Sequence, residues 1–301
     1  MDAQRYYAHG KLMLTGEYAV LDGAKALAIP TRFGQSLEVS DLYDTSYQIE
    51  WRGFTSQNEL WLRADLPHND LQQEEVVRLQ QILKAVDDLN PSIFYEKNLA
   101  FKTVLEFPQN WGLGSSSTLI SLLAQWASID PFQLLEKTFG GSAYDIACAT
   151  ASGPIRYDRQ EVVMHVESVE LSKTWTNNAY FIFLNQKQNS REAIQHYKSL
   201  KNTSEVVSTI NVFSEALQES TDVQTSIDTI IEHEKVMSKV LKMESINTER
   251  FNDFNGACKS LGAWGGDFIM AITKEDDKYV KDYFAKKGLN TIFAFEEMIW
   301  I

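Results

Sequence analysis

Residues 110–126 read NWGLGSSSTLISLLAQW, a pair of glycines and three consecutive serines running straight into an apolar pattern. Leu119, Leu122, Leu123 and Trp126 recur at helical spacing, so a helix begins at the serines. Glycines ahead of a helix let the backbone aim several N–H groups at one point, and the helix start adds partial positive charge. The stretch has no lysine where a P-loop carries one, and no third glycine of a dinucleotide fingerprint. Taken alone it has two readings: a helix start capped by serine hydroxyls, or a loop that cradles phosphate.

Composition narrows the choice of ligand. The chain has 301 residues, 44% of them hydrophobic and 12% aromatic, enough for one large or two ordinary cores. The net charge of −13 argues against nucleic acid and anionic membrane as partners, since both need a basic face. A phosphorylated ligand would need local positive charge from Lys, Arg, helix N-termini or a metal. Cys148 and Cys258 stand far apart without a CxxC partner, which argues against a disulfide framework or a structural zinc site. MDAQRYYAHGK lacks the apolar core of a signal peptide and no run is long enough to span a membrane, so a soluble cytoplasmic protein is expected.

Around the opening stretch the pattern alternates between strands and helices. Residues 11–64 read mostly as strands and turns, 71–89 as an amphipathic helix, and 101–107 as a strand leading into the loop. A short helix is expected at 131–138, then a glycine turn at Gly140-Gly141 and strands at GPIRYD and EVVMHVESV. AYFIFLN (179–185) reads as a buried strand followed by helices to about residue 243. The remainder reads as strand FIMAIT, helix EDDKYVKDYFAKKG and strand TIFAFEEM. The fold class expected is α+β, in two domains, 1–160 and 161–301.

Three other stretches carry possible chemistry. AHGKLMLTGEYAVLDG (8–23) places Lys11 at the start of a strand and Gly16-Glu17 in a turn; Lys11 alone reads as a surface lysine. GGSAYDIACATASGP (140–154) holds one acid, Asp145, among small residues, which reads either as a helix cap or as an acid with room for a substrate beside it. KSLGAWGGDFIMAI (259–272) is a second glycine-rich turn feeding a buried strand.

In their order along the chain these four stretches resemble the motifs of the GHMP kinases, the superfamily of galactokinase, homoserine kinase, mevalonate kinase and phosphomevalonate kinase. HGKLMLTGEYAVLDG resembles the first motif, and its GEYAV wording is most like phosphomevalonate kinases. GLGSSS resembles the ATP phosphate loop, GSAYDIACATASGP the segment of the catalytic acid, and KSLGAWGGDF the third glycine motif. The resemblance implies a two-lobed fold, with an N-terminal strand-rich α/β domain that binds ATP and a C-terminal ferredoxin-like α+β domain.

It also implies roles. Gly112, Leu113, Gly114, Ser115, Ser116 and Ser117 would hold the nucleotide phosphates. Ser116 would bind Mg²⁺ with Glu136, whose match tolerates a spacing difference. Asp145 would be the base facing the acceptor oxygen, with Lys11 beside it. Glu17, Tyr18, Gly262, Gly265 and Gly266 would shape the acceptor side. The cofactors implied are ATP and Mg²⁺; the partner is a small acceptor alcohol or phosphate ester, phosphomevalonate or mevalonate, and the protein a monomer or homodimer.

The chain departs from the motifs in three places. His9 replaces a usual proline. Trp264 replaces a usual glycine and could narrow the acceptor pocket, stack on a ligand or block the site. Lys187, Ser190 and Arg191 lie where these kinases often carry a Thr/Ser substrate loop, and read either as an anion-binding set or as a helix cap. Trp264 keeps open a second reading, a catalytically silent sensor of nucleotide or metabolite. His233 lacks the second histidine of a zinc-protease helix and is assigned to structure.

Overall fold

The computed structural model describes residues 3–43, 48–67, 73–160, 163–186, 195–200, 203–262, 264 and 266–301. Two compact units emerge: Met1–Gly10, Phe33–Gln109 and Leu113–Thr150 form the first, and Lys11–Arg32, Asn110–Gly112 and Ala151–Ile301 the second. Strands β1 (Gln4–Thr15) and β2 (Ala26–Asp41) pair with each other and contribute to both. Lys11 sits inside β1 rather than at its start, because the strand begins seven residues earlier, at Gln4.

In the first unit β3 (Ile49–Phe54) and β4 (Leu60–Leu66) form an antiparallel hairpin. Helix α1 (Glu74–Leu89) then leads to β5 (Leu99–Leu105), which runs parallel to β3 and antiparallel to the Gln35–Asp41 end of β2. Alternate residues of β3 are buried, as a sheet with one covered face requires. Val76, Leu79, Ile82, Leu83 and Val86 form the buried stripe of α1 that their spacing predicts. Helices α2 (Ser115–Ala127), α3 (Pro131–Thr138) and α4 (Tyr144–Ala149) complete the layer, with α2 packed on both α3 and α4. An aromatic stack joins sheet to helix: Trp51 lies on Phe101 at 5.1 Å, and Trp126 of α2 meets Phe101 edge-on at 4.8 Å. The start of α3 is fixed by Asp130, whose carboxylate accepts from the Phe132 N–H at 2.8 Å, and by Pro131 in the first turn.

In the second unit the Ala26–Ala28 end of β2 pairs with β6 (Ile155–Gln160), and β6 with β7 (Val163–Ser168). A second sheet holds β8 (Ala179–Phe183), β9 (Ala257–Ser260), β10 (Phe268–Ile272) and β11 (Ile292–Ala294) in the order β11-β8-β10-β9, all antiparallel. The short helix α5 (Lys173–Thr176) precedes β8. Between β8 and β9 come α6 (Ser204–Glu219), α7 (Val223–Leu241) and α8 (Ile246–Arg250), and between β10 and β11 comes α9 (Asp277–Lys286). Strand order and alternation of helices are those of a ferredoxin-like β-α-β-β-α-β unit.

Strand alternation assigns the faces of this sheet. Tyr180, Ile182, Leu184, Cys258, Ile269 and Ala271 pack with Phe251, Phe254, Val280 and Phe284 of the helical layer. The other face carries Phe181, Phe183, Phe268 and Met270, together with Lys259, the cross-strand partner of Met270. TIFAFEEM is not one strand: after β11 the chain turns into helix α10 (Phe295–Met298). The Glu297 carboxylate accepts from the Ala294 N–H at 2.8 Å, a helix-start bond that ends the strand. Among the described residues no helix is long and apolar enough to cross a membrane.

Candidate active site

The serine stretch forms the first turn of α2. Gly114 is its N-cap residue, in the left-handed region with φ 87°, and no side chain caps the helix. The serines therefore sit inside the helix rather than in front of it, which removes the capping role expected for them. Ser116 is exposed, Ser115 half-buried and Ser117 buried; Leu113 is fully buried. Thr118 holds the turn in place: its hydroxyl lies 2.7 Å from Gln35 Oε1 and 2.9 Å from the Ser115 carbonyl. An uncapped helix start offers its first N–H groups to an anion.

Ser115 and Ser116 line a cavity of about 350 Å³ in the first unit, whose walls include Trp51, Trp61, Arg78 and Phe139. The Arg78 guanidinium lies 5.2 Å from the centre of the Phe139 ring. Among the described residues the buried Trp51 indole N–H has no hydrogen-bond partner.

Ser117 and Asp145 meet at the base of the same helix, where the Ser117 hydroxyl donates to Asp145 Oδ2. Asp145 lies in the first turn of α4 and is half-buried. It is not the helix cap; that place belongs to Ala143, held at φ 68°. Glu136 is exposed on α3.

Lys11, Gly112, Glu17, Tyr18 and Trp264 belong to the second unit. The Lys11 ammonium donates to the Gly112 carbonyl at 3.1 Å. Gly112 has φ 67°, and a β-carbon there would lie 2.0 Å from Asp267 Oδ2, so both conformation and space demand glycine.

Glu17 is buried, and its carboxylate is held by the buried Lys259 ammonium at 2.5 Å. His233 Nε2 lies 3.7 Å from Glu17 Oε2, and Glu234 Oε1 lies 3.8 Å from Lys259. Burial pushes the Glu17 carboxyl up, opposed by Lys259. Burial likewise pushes Glu234 up to about 8, against the pull of Lys259. His233 is held well below its usual range by burial and then by Lys259, so it is neutral.

Tyr18 and Trp264 form a separate apolar contact. The Trp264 backbone N–H donates to the Tyr18 hydroxyl at 2.9 Å, and its indole N–H donates to the Glu244 carbonyl at 3.1 Å. Trp264 is 2% exposed and packs with Tyr18, Tyr197, Ile210, Met237 and Leu241. Gly262 is half-buried with φ 66°, and Gly266 is buried. Lys187, Ser190, Arg191 and Gly265 lie outside the described residues.

Three roles in this neighbourhood are not assigned by the sequence reading: Trp111, in the opening stretch, and Lys259 and Asp267, both within KSLGAWGGDF, the first as a buried cation and the second as the neighbour of Gly112. Trp111 and Lys259 each look like ordinary loop or strand residues until distant segments are brought to them.

No protein-family model matches the chain, and no curated protein matches it in sequence. Solved structures do match. Mevalonate kinase of Methanococcus jannaschii is similar with a TM-score of 0.74 at 15% identity, over 100% of this chain and 99% of that one. Phosphomevalonate kinase of Streptococcus pneumoniae, in complex with phosphomevalonate and AMPPNP, gives 0.71 at 18%, over 96% and 98%. Galactokinase of Lactococcus lactis, complexed with galactose, gives 0.71 at 12%, over 100% and 94%.

Proposed function

We propose that this chain, which has the GHMP-kinase fold, is an ATP- and Mg²⁺-dependent kinase that phosphorylates a small acceptor, phosphomevalonate or mevalonate. The observation that carries the reading is the uncapped start of α2 opening on the cavity lined by Ser115 and Ser116. The helix start suits a phosphate chain, and the half-exposed Trp61 ring in the cavity wall suits a flat base. The solved phosphomevalonate kinase complex contains an ATP analogue, which supports the choice of nucleotide.

Phosphoryl transfer asks mainly for positioning and for positive charge around the group in flight. Lys11 supplies a cation and is oriented by the Gly112 carbonyl. Asp145 takes the acceptor hydroxyl proton, and the Ser117 hydroxyl fixes which carboxylate oxygen is left for that work. For Mg²⁺ the donors at hand are hard oxygens: the exposed Ser116 hydroxyl, which lines the cavity, and the exposed Glu136 carboxylate on a helix packed against α2. Among the described residues no group of three or more His, Cys, Asp or Glu forms a metal cage. That fits an ion held by one or two protein oxygens and completed by phosphates and water. Bound there, Mg²⁺ would neutralise phosphate charge.

On the acceptor side, Tyr18, Gly262 and Gly266 remain as turn residues. Glu17 is a positioning residue, because Lys259 occupies its carboxylate. Trp264, the departure that favoured a silent sensor, packs its indole in the core. No specific observation then favours that alternative. The phosphomevalonate-like GEYAV wording ranks phosphomevalonate ahead of mevalonate.

The test is ADP release from Mg-ATP with phosphomevalonate, mevalonate, homoserine and galactose supplied separately. Stimulation by one of the first two supports the assignment. Stimulation only by homoserine or galactose would move the acceptor, and stimulation by none would remove the kinase reading.

A further inference from the structure

Trp111 immediately precedes Gly112, and its side chain packs against phenylalanines of the four-stranded sheet. Its ring lies 5.5 Å from Phe293, 5.6 Å from Phe268 and 6.0 Å from Phe183. Phe293 lies in β11, Phe183 ends β8 and Phe268 opens β10, so three adjacent strands of the four-stranded sheet contribute one ring each. Phe268 is the direct cross-strand partner of Phe183, and Phe293 that of Phe181, which puts all of these rings on one face. Two of the Trp111 contacts are edge-to-face, at 84° and 66°, the arrangement in which aromatic rings attract and fix one another's orientation.

The residue after this anchor is held as tightly. Asp267, next to Phe268 in sequence, closes on Gly112 from one side, and Lys11 reaches the Gly112 carbonyl. The carbonyl to which Lys11 donates therefore belongs to the residue next to one whose ring is clamped by three phenylalanines. We infer that Trp111 is a positioning residue, whose ring in the Phe183–Phe268–Phe293 cluster fixes the Gly112 carbonyl and through it the Lys11 ammonium. Its effect on turnover rests on the kinase reading given above; its effect on Lys11 does not.

The experiment uses the full chain and two readouts. The first is acylation of Lys11 by an amine-directed ester, followed by mass spectrometry, on wild type, Trp111→Ala, Trp111→Leu and Trp111→Phe. An ammonium bound to a carbonyl reacts slowly; released, it reacts faster, by about fivefold for loss of a small number of ring contacts. Trp111→Ala should show that rise and Trp111→Phe should stay near wild type. If Trp111→Ala does not fold, Trp111→Leu, apolar but without a ring face, takes its place. The second readout is steady-state kinetics: Trp111→Ala or Trp111→Leu lowers kcat more than it raises KM for ATP, and Trp111→Phe restores kcat. Unchanged Lys11 acylation in a folded ring-less variant overturns the inference. Wild type that turns over no acceptor while Lys11 acylation still responds to Trp111 overturns the kinase reading alone.

Discussion

The Ser117 hydroxyl donates to the Asp145 carboxylate, joining the first turn of α2 to the first turn of α4. A base that must receive a proton in a set direction needs its carboxylate fixed. Ser117→Ala removes that bond while leaving α2 intact. It is expected to lower kcat about 10- to 100-fold with little change in KM for ATP, and Ser117→Thr to recover part of the loss. A Ser117→Ala enzyme with wild-type kcat would remove Ser117 from the mechanism.

Gly112→Ala tests the loop from its other end. A β-carbon there meets both a left-handed backbone and the Asp267 carboxylate. The variant should cost about 1–3 kcal/mol of stability in a denaturant titration and weaken ATP binding in calorimetry at least tenfold. Wild-type stability and ATP affinity together would show that the loop relaxes freely around Gly112.

Much of this site is legible in the sequence because its physics is local. Helix α2, the glycine turn before it, the short helix α3 and the buried stripe of α1 all follow from spacing and turn chemistry. Trp264 and Lys259 escape the sequence because the deciding contacts come from far along the chain, whereas TIFAFEEM turns on a local one. Trp264 reads as a residue at a ligand site, yet its partners are helices α6 and α7 and Tyr18. Lys259 is charged and sits in a strand, and its ion pair with Glu17, 242 residues away, explains how it can be buried. His233 reads correctly as structural, but the sequence does not show that it is sealed against a carboxylate. TIFAFEEM has strand composition throughout, and a single Glu297 side chain decides that its second half is helix.

The buried Glu234 gives a pH signature. Its carboxyl is pushed up from an ordinary 4.5 to about 8, so between these values the folded chain binds more protons than the unfolded one. Its contribution to stability is thus present below pH 4.5 and falls as pH rises towards 8. Glu234→Gln removes this titration. The stability of the variant relative to wild type should grow between pH 5 and pH 8.5, by on the order of 4 kcal/mol, in denaturant titrations at each pH. A difference that stays flat across that range would show that Glu234 titrates normally. His233, neutral in the fold, works in the opposite direction below its ordinary pKa, and is unchanged by the comparison.

Trp264→Gly restores the usual residue of the motif but empties a core position. It should destabilise the protein by about 3–5 kcal/mol, read as a fall in the denaturation midpoint, with Trp264→Phe losing less. A Trp264→Gly protein of unchanged stability but altered acceptor KM would place the indole at the acceptor site instead.

The central claim is that Asp145 takes the acceptor proton beside the start of α2. Asp145→Asn keeps the size and loses the base. The decisive measurement is acceptor-stimulated ADP release by Asp145→Asn beside its calorimetric affinity for ATP. The expected result is a loss of turnover of about 10³-fold with ATP affinity nearly intact. Wild-type turnover by Asp145→Asn would contradict the claim outright.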